Sequence, residues 1–521
     1  MKKKLPIGIS TLKEIINGDY VYVDKTYYVH ELVNTGKYYF LSRPRRFGKS
    51  LFVDTLKEAF EGNKELFKGL YIYDRWDWDR RYPVIQINFA EGVLRSRQEL
   101  DKRIMNILRV NQERLGVECR DEDDITSCFI ELIQKTVSKY GQNTVILIDE
   151  YDKPILDNIT DIEIAKEMRE GLKNLYSVIK GQDANIKFVF MTGVSKFSKV
   201  SIFSGLNNLR DITIDETYSS ICGYTEEDLT NYFSEYLKDK DREQIRQWYN
   251  GYNWTGSERV YNPFSIINYL QTGVFKNYWF ESGTPTFLIE LLKEKKYYIP
   301  TMENLEAGES LIGSFDVDFI EPENLLFQAG YLTISEVKQG VAEIRYKLSY
   351  PNREVEKSLT ENILNRYSYN RSLISELRIR LEDALLQCNI DAIKNIMHSH
   401  FASIPVDWYR KNDIDNYEGY YASVFYSYFA SLGLDVRGED TTNYGKIDMV
   451  VVMRHAVFIF EFKVIKGKEE VRALSQIKER GYAEKYRDLE LPVYLVGIEF
   501  DKEKRNIIGF EWEKWGGGGR G

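Results

Sequence analysis

Residues 38–51 constrain this chain more than any other stretch. A short aromatic run, Tyr38, Tyr39, Phe40 and Leu41, reads as a strand. It ends in a tight basic loop, and an amphipathic helix opens at Gly48, Lys49 and Ser50. Strand, loop and helix in that order make a phosphate-binding loop. Its backbone N–H groups and helix N-terminus face the phosphates, the Lys ammonium reaches the outer oxygens, and the Ser hydroxyl ligates Mg2+. Arg46, Phe47, Gly48, Lys49, Ser50 and Leu51 are the candidate nucleotide-binding residues. The loop departs from G-x-x-x-x-G-K-[ST] at its start, where Arg43 replaces the first glycine.

A second motif answers the first. Val145, Ile146, Leu147 and Ile148 are followed by Asp149 and Glu150. Such a run reads as a buried parallel strand that delivers two carboxylates at its C-terminal edge, where open α/β sheets bind ligands. Asp149 is expected to share a Mg2+ shell with Ser50, and Glu150 to polarise the attacking water. Residues 84–89 read as a further strand between the two motifs, as in P-loop ATPases that insert a strand between the Lys strand and the acidic strand. Thr192, ending the strand read at 187–192, is a candidate sensor of the outer phosphate. A strand is also expected at 20–24, with Tyr22, Asp24 or Lys25 within reach of a base or ribose.

These runs resemble the bacterial AAA-ATPase-like family. The resemblance rests on residues 43–50, on Tyr22, Val23, Asp24, Lys25 and Thr26, and on Leu147, Ile148, Asp149, Glu150, Tyr151 and Asp152. It continues through residues 191–196, Asn207, Asn208 and Leu209, and Ile221, Cys222, Gly223 and Tyr224, over roughly the first 280 residues. Arg in place of the first glycine is usual in that family. The resemblance implies an α/β P-loop NTPase with an ASCE-type parallel sheet, using ATP and Mg2+.

Near the C-terminus, residues 445–452 and 456–463 read as two strands joined by a turn at Arg454 and His455. The two-residue period puts Glu461 and Lys463 on one face, where Asp448 of the neighbouring strand can meet them. Two carboxylates can hold Mg2+ against a scissile phosphate, and a Lys beside them can position the attacking water. The arrangement resembles the PD-(D/E)XK nuclease superfamily, with Asp448 as the first acid, Glu461 and Lys463 as the E-x-K pair, and Ile447 where Pro is common. By that resemblance Glu418 is the upstream helical acid, and Gln476 and Tyr482, on a helix expected over 469–486, support the site.

The expected order is an ATPase domain (1–215), a helical or winged-helix-like lid (216–350), a helical connector (351–400), an α/β restriction-endonuclease-like domain (401–515) and a flexible tail (516–521). The aromatic cluster from Trp248 to Trp254 reads as lid core in preference to a base-stacking platform. No apolar leader or membrane-spanning run occurs, so a cytoplasmic protein is expected. Cys119, Cys128, Cys222 and Cys388 show no C-x-x-C pairing and read as reduced thiols.

Net charge is -9, yet residues 1–50 carry ten Lys/Arg against four Asp/Glu. Residues 401–521 carry 18 Lys/Arg against 20 Asp/Glu. Nucleic-acid affinity would need a local stripe such as Lys466, Lys468, Arg472 and Lys478, metal ions, or the ATPase half. The leading expectation is an ATPase that gates or drives a Mg2+-dependent nuclease, with DNA favoured over RNA as substrate and a homo-oligomer as a possibility. The alternative is a nucleotide-switched binding or assembly protein with an inactive nuclease fold. Arg45, Arg46 and Arg210 are the arginine-finger candidates.

Overall fold

The computed structural model describes residues 2–121, 124–197, 206, 208–281, 286–309, 313, 318, 320–367, 371–403, 418–465, 473–501, 504 and 506–516. The chain divides into two compact units, residues 1–287 with 306–352 and residues 288–305 with 353–521. Among the described residues no helix is long and apolar enough to cross a membrane.

The first unit is built on a five-stranded parallel sheet. Its strands are β1 (Tyr38–Ser42), β2 (Val84–Asn88), β3 (Thr144–Asp149), β4 (Ile186–Gly193) and β5 (Arg210–Asp211). Their order is β2-β3-β4-β1-β5. Every residue of β1 and β3 is buried, as their continuous apolar runs require of strands covered on both faces. The strand that separates β1 from β3 in space is β4, whereas β2 lies at the sheet edge.

Helices α1 (Lys49–Phe60), α2 (Arg97–Leu115), α3 (Ile125–Tyr140) and α4 (Ile162–Gly181) accompany the sheet. Residues 20–24 do not form the expected strand, since only a single bridge joins Tyr20 to Lys4. Cys119 and Cys128 form a disulfide, in place of the reduced thiols expected. The chain between α2 and α3 folds back so that these two buried residues meet across nine positions, a spacing that announces no motif.

Helices α5 (Glu226–Leu237), α6 (Arg242–Tyr249) and α7 (Pro263–Thr272) follow. Thr225 caps α5 in a reciprocal capping box with Asp228. Tyr249, Tyr261, Tyr269 and Phe275 pack in one cluster with Leu229 and Ile266, and Tyr252 and Trp254 are buried too, so these rings build core and are not displayed for stacking on bases. Strand β6 (Leu305–Gly308), helix α8 (Pro322–Ala329) and strands β7 (Thr333–Gln339) and β8 (Ile344–Ser349) come next, with sheet order β6-β8-β7.

The second unit includes helices α9 (Arg353–Tyr367), α10 (Arg371–Leu386), α11 (Ile390–Ala402) and α12 (Glu418–Ser431). In α10, Leu377, Leu381 and Leu385 are buried at four-residue spacing, and α9 packs along α12. A mixed sheet follows, of β9 (Asp435–Thr442), β10 (Gly445–Val452), β11 (Val457–Ile465), β12 (Val493–Asp501) and β13 (Asn506–Trp515), in order β13-β12-β11-β10-β9. Strands β10 and β11 form the expected antiparallel hairpin. Strands β11 and β12 are parallel, so the chain must cross over between them, and helix α13 (Ala473–Glu479) lies on that crossover.

Gly497 on β12 is the register partner of Glu461, and a Cβ there would lie 2.2 Å from the Leu474 backbone nitrogen. The glycine lets α13 rest directly on the sheet. Gly497→Ala is expected to lower stability by about 1–3 kcal/mol, through forced displacement of α13, in urea denaturation.

The same unit holds an acidic cluster. Glu303 accepts hydrogen bonds from the Tyr426 hydroxyl at 2.6 Å and the Gly438 N–H at 2.8 Å, and the Tyr426 hydroxyl lies 3.5 Å from Glu356. Burial pushes the Glu303 carboxyl up to about 8, against 4.5 in the unfolded chain. Folding therefore takes up a proton between these values, and the contribution of Glu303 to stability falls as pH rises through this window. Glu303→Gln is expected to match the parent near pH 5 and to melt higher near pH 8.5. An equal shift in melting temperature at both pH values would contradict this.

Candidate functional site

The first site forms where β1 gives way to α1. Gly48 precedes the helix with φ +92°, a left-handed conformation that favours glycine, and Lys49 is the first helical residue. The Lys49 Nζ donates to the carbonyls of Arg43 at 2.9 Å and Pro44 at 3.0 Å. Asp149 ends β3 with its carboxylate buried, and Ser50 stands near enough to act on it electrostatically. Burial raises the Asp149 pKa, and the Glu150 charge adds to this, while Ser50 and Lys49 oppose it. Glu150 follows with φ +54°.

Lys49, Ser50 and Glu150, though not Asp149, border a cavity of about 630 Å³, lined also by Arg46 at its polar side and by Ile7 and Phe264 among its apolar walls. Phe47 and Leu51 line it as well. Tyr22 and Lys25 reach the cavity but are engaged, Tyr22 with Thr55 at 3.3 Å and Lys25 in an ion pair with Asp228 at 2.7 Å. Asp24 instead accepts from the N–H groups of Thr26 and Tyr71.

Arg43 replaces a glycine without leaving the loop open. Its guanidinium is fully buried, donates to the carbonyls of Ser42, Thr213 and Tyr218, and lies 4.1 Å from the Trp254 ring centroid. Burial brings its pKa down to about 10. Phe47 packs edge-on against Tyr252 and Trp254.

Thr192 does not reach the cavity. Its buried hydroxyl donates to the Leu41 carbonyl at 2.8 Å, fastening β4 to β1, so the sensor expectation is corrected. Of the arginine-finger candidates, Arg210 pairs with Asp215 at 2.8 Å, whereas Arg45 and Arg46 line the cavity. Sequence reasoning missed Asp152, which is fully buried and accepts from the N–H groups of Val194 and Ser195 and from the Ser195 hydroxyl. A Cβ on Gly193 would fall close against its Oδ1, so the second aspartate of the Asp-Glu-Tyr-Asp run locks the end of β3 to the end of β4.

The second site lies on β10 and β11. The register that pairs Met449 with Phe460 sets Asp448 opposite Glu461. Asp448 accepts from the Phe462 N–H at 2.8 Å, and the Lys463 Nζ lies 3.5 Å from Glu461 Oε1. Glu461 is 1% exposed; burial first and the Asp448 charge second push its carboxyl up to about 7, while Lys463 opposes the shift.

The Gln476 amide donates to Glu461 Oε1, and Glu461 Oε2 is buried without a hydrogen-bond partner among the described residues. Tyr482 is not on the Gln476 helix as expected. Gly481, with φ +57°, ends that turn, and the Tyr482 hydroxyl donates to the Lys446 carbonyl at 2.8 Å. The Glu418 side chain, Lys466, Lys468, Arg472 and Asn207 lie outside the described residues. Among the described residues no group of three or more His, Cys, Asp or Glu could by itself hold a metal.

Fold and site together define a P-loop ATPase-like unit followed by a nuclease-like α/β unit. A family model described as "Predicted AAA-ATPase" matches residues 6–203, and one described as "PD-(D/E)XK nuclease superfamily" matches residues 416–510. The chain is 51% identical over 516 residues, 99% of its own length and 100% of the relative's, to "Uncharacterized protein in vnfD 5'region" of Azotobacter chroococcum mcd 1. No solved structure matches. The chain belongs to the AAA-ATPase-like family, with a C-terminal domain of the PD-(D/E)XK nuclease superfamily.

Arg43→Gly, which restores the glycine of the general motif, is expected to destabilise the protein by on the order of 3 kcal/mol. It strands buried carbonyls and opens a void beneath Trp254. Urea denaturation of the two proteins checks this.

Proposed function

We propose that the chain binds and hydrolyses ATP at the first site, and that this turnover gates a Mg2+-dependent nuclease acting on DNA at the second. At the first site, Lys49 leaves its two carbonyls to meet the outer phosphates, and Ser50 and Asp149 would hold Mg2+. Glu150 borders the same cavity and would polarise the attacking water.

The observation that carries the nuclease reading is the buried Glu461 Oε2, which has no hydrogen-bond partner among the described residues and shares its face with Asp448. An orphaned carboxylate oxygen in the interior is costly unless a cation or donor completes it, so the residues fit a metal. Asp448 and Glu461 would hold the ion, with the remaining ligands left to water and the substrate phosphate. A divalent cation supplies an acidified water and stabilises the charge that grows on phosphorus. Gln476 fixes the Glu461 carboxylate, and Lys463 orients the nucleophile beside it.

Supercoiled plasmid with Mg2+, with and without ATP, tests the proposal on the parent protein, Glu461→Ala and Lys49→Ala. Cleavage lost by at least a hundredfold in Glu461→Ala, and no longer ATP-dependent in Lys49→Ala, is the expected result, a loss on the order of that seen when a catalytic ligand is removed. ATP turnover with no cleavage under any condition would favour a nucleotide-switched binding protein instead.

A further inference from the structure

The nuclease-like unit holds a cation for which the reading above has no use. Arg480 follows α13, and its N–H donates to the Gln476 carbonyl at 3.1 Å, so the helical turn carries through it. Gln476 and Arg480 stand four residues apart, the spacing that shares one helix face. Gln476 already touches Glu461.

The Arg480 guanidinium donates to the Tyr482 hydroxyl at 3.0 Å, and that hydroxyl donates to the Lys446 carbonyl, two residues before Asp448. Gly445 opens β10 with φ +149°, and a Cβ there would lie 2.8 Å from Arg480 Nη1 and 3.2 Å from the Tyr482 hydroxyl. The turn between β9 and β10 is thus cut away to admit the guanidinium.

The neighbouring cations are spent differently. Lys478 pairs with Glu513, Lys485 with Asp440, and Lys446 with Glu439. Arg480 is exposed, and among the described residues no carboxylate lies within ion-pair distance of it. Its tether is a neutral phenol. Most of the five donors of the planar guanidinium are left for an oxyanion, and two oxygens of a phosphate suit such a fork.

We propose that Arg480 is a substrate-binding residue that grips a phosphate oxygen of the nucleic-acid backbone next to the phosphodiester held at Asp448 and Glu461. The inference rests on reading that centre as a nuclease. Tyr482 and Gly445 are the positioning residues: the phenol fixes the direction of the guanidinium and the glycine clears its path. An aimed cation of this kind suits a unit whose acidic residues outnumber its basic ones.

Fluorescence anisotropy of the full chain with a labelled 30-base-pair DNA duplex tests this, with Ca2+ replacing Mg2+ to hold back cleavage and KCl varied. Cleavage kinetics in Mg2+ run in parallel. Arg480→Ala is expected to weaken binding by about tenfold and to reduce the slope of log K against log salt by about 1. KM should rise more than kcat falls, Arg480→Lys should recover part of the loss, and Lys485→Ala should change neither affinity nor slope. The same titration with an RNA duplex separates the two sources of phosphate, and a loss on either supports the assignment.

If Arg480→Ala melts early, Arg480→Gln, which keeps a donor toward Tyr482, carries the same test. A parent protein that binds and cuts, with an Arg480 variant of unchanged affinity and slope, overturns this inference and leaves the nuclease reading intact. A loss of cleavage with no change in salt slope also overturns it, because the residue would then act only on structure. A parent protein that neither binds nor cuts either duplex overturns the nuclease reading, and this inference with it.

Discussion

The first site depends on a buried guanidinium that spends its charge on backbone carbonyls. In a glycine-rich phosphate loop, small residues let the backbone curl. Here Arg43 ties the start of the loop to the Thr213 and Tyr218 carbonyls beyond β5, and Trp254 lies over its face. Its Nε has no hydrogen-bond partner among the described residues, so the stack and the carbonyl bonds together must offset burial of a charge. Around this anchor Phe47 seats against Tyr252 and Trp254, the Gly223 N–H reaches the Phe47 carbonyl at 3.2 Å, and Gly48 turns the chain into α1. Lys49 and Ser50 are placed by that sequence of contacts.

The second site uses burial in the opposite way. Glu461 is kept nearly dry on a central strand, with α13 pressed on the sheet through Gly497 and Gln476 laid on one carboxylate oxygen. Desolvation there raises the cost of leaving the carboxylate ionised and unpartnered. That cost makes a cation a favourable companion, and Asp448, opposite in register, doubles the negative charge available to it. The same packing fixes the direction in which α13 delivers Gln476 and the turn that follows it.

Much of this was legible because the chemistry sits at the ends of continuous apolar runs. The runs before Asp149 and around Glu461 mark their strands, and the Gly-Lys-Ser and Glu-x-Lys spacings mark what those strands carry. What escaped depends on tertiary partners. Residues 20–24 alternate like a strand but find no ladder to join. Thr192 looks like a sensor by position, yet its hydroxyl is taken by Leu41. The spatial place of β4 between β1 and β3 follows from sheet order, which chain order does not dictate. Asp152 enters the sequence reading only as part of a motif and Arg480 not at all, because the room made for them beside Gly193 and Gly445 is set by tertiary packing.

The account as a whole turns on whether the carboxylates at 448 and 461 form a metal centre. Isothermal titration calorimetry of Mn2+ into the nucleotide-free full chain and into its Asp448→Ala variant addresses that directly. The account predicts a stoichiometric binding event that disappears in the variant while its fold is retained. Mn2+ binding of unchanged stoichiometry and affinity in Asp448→Ala would contradict it.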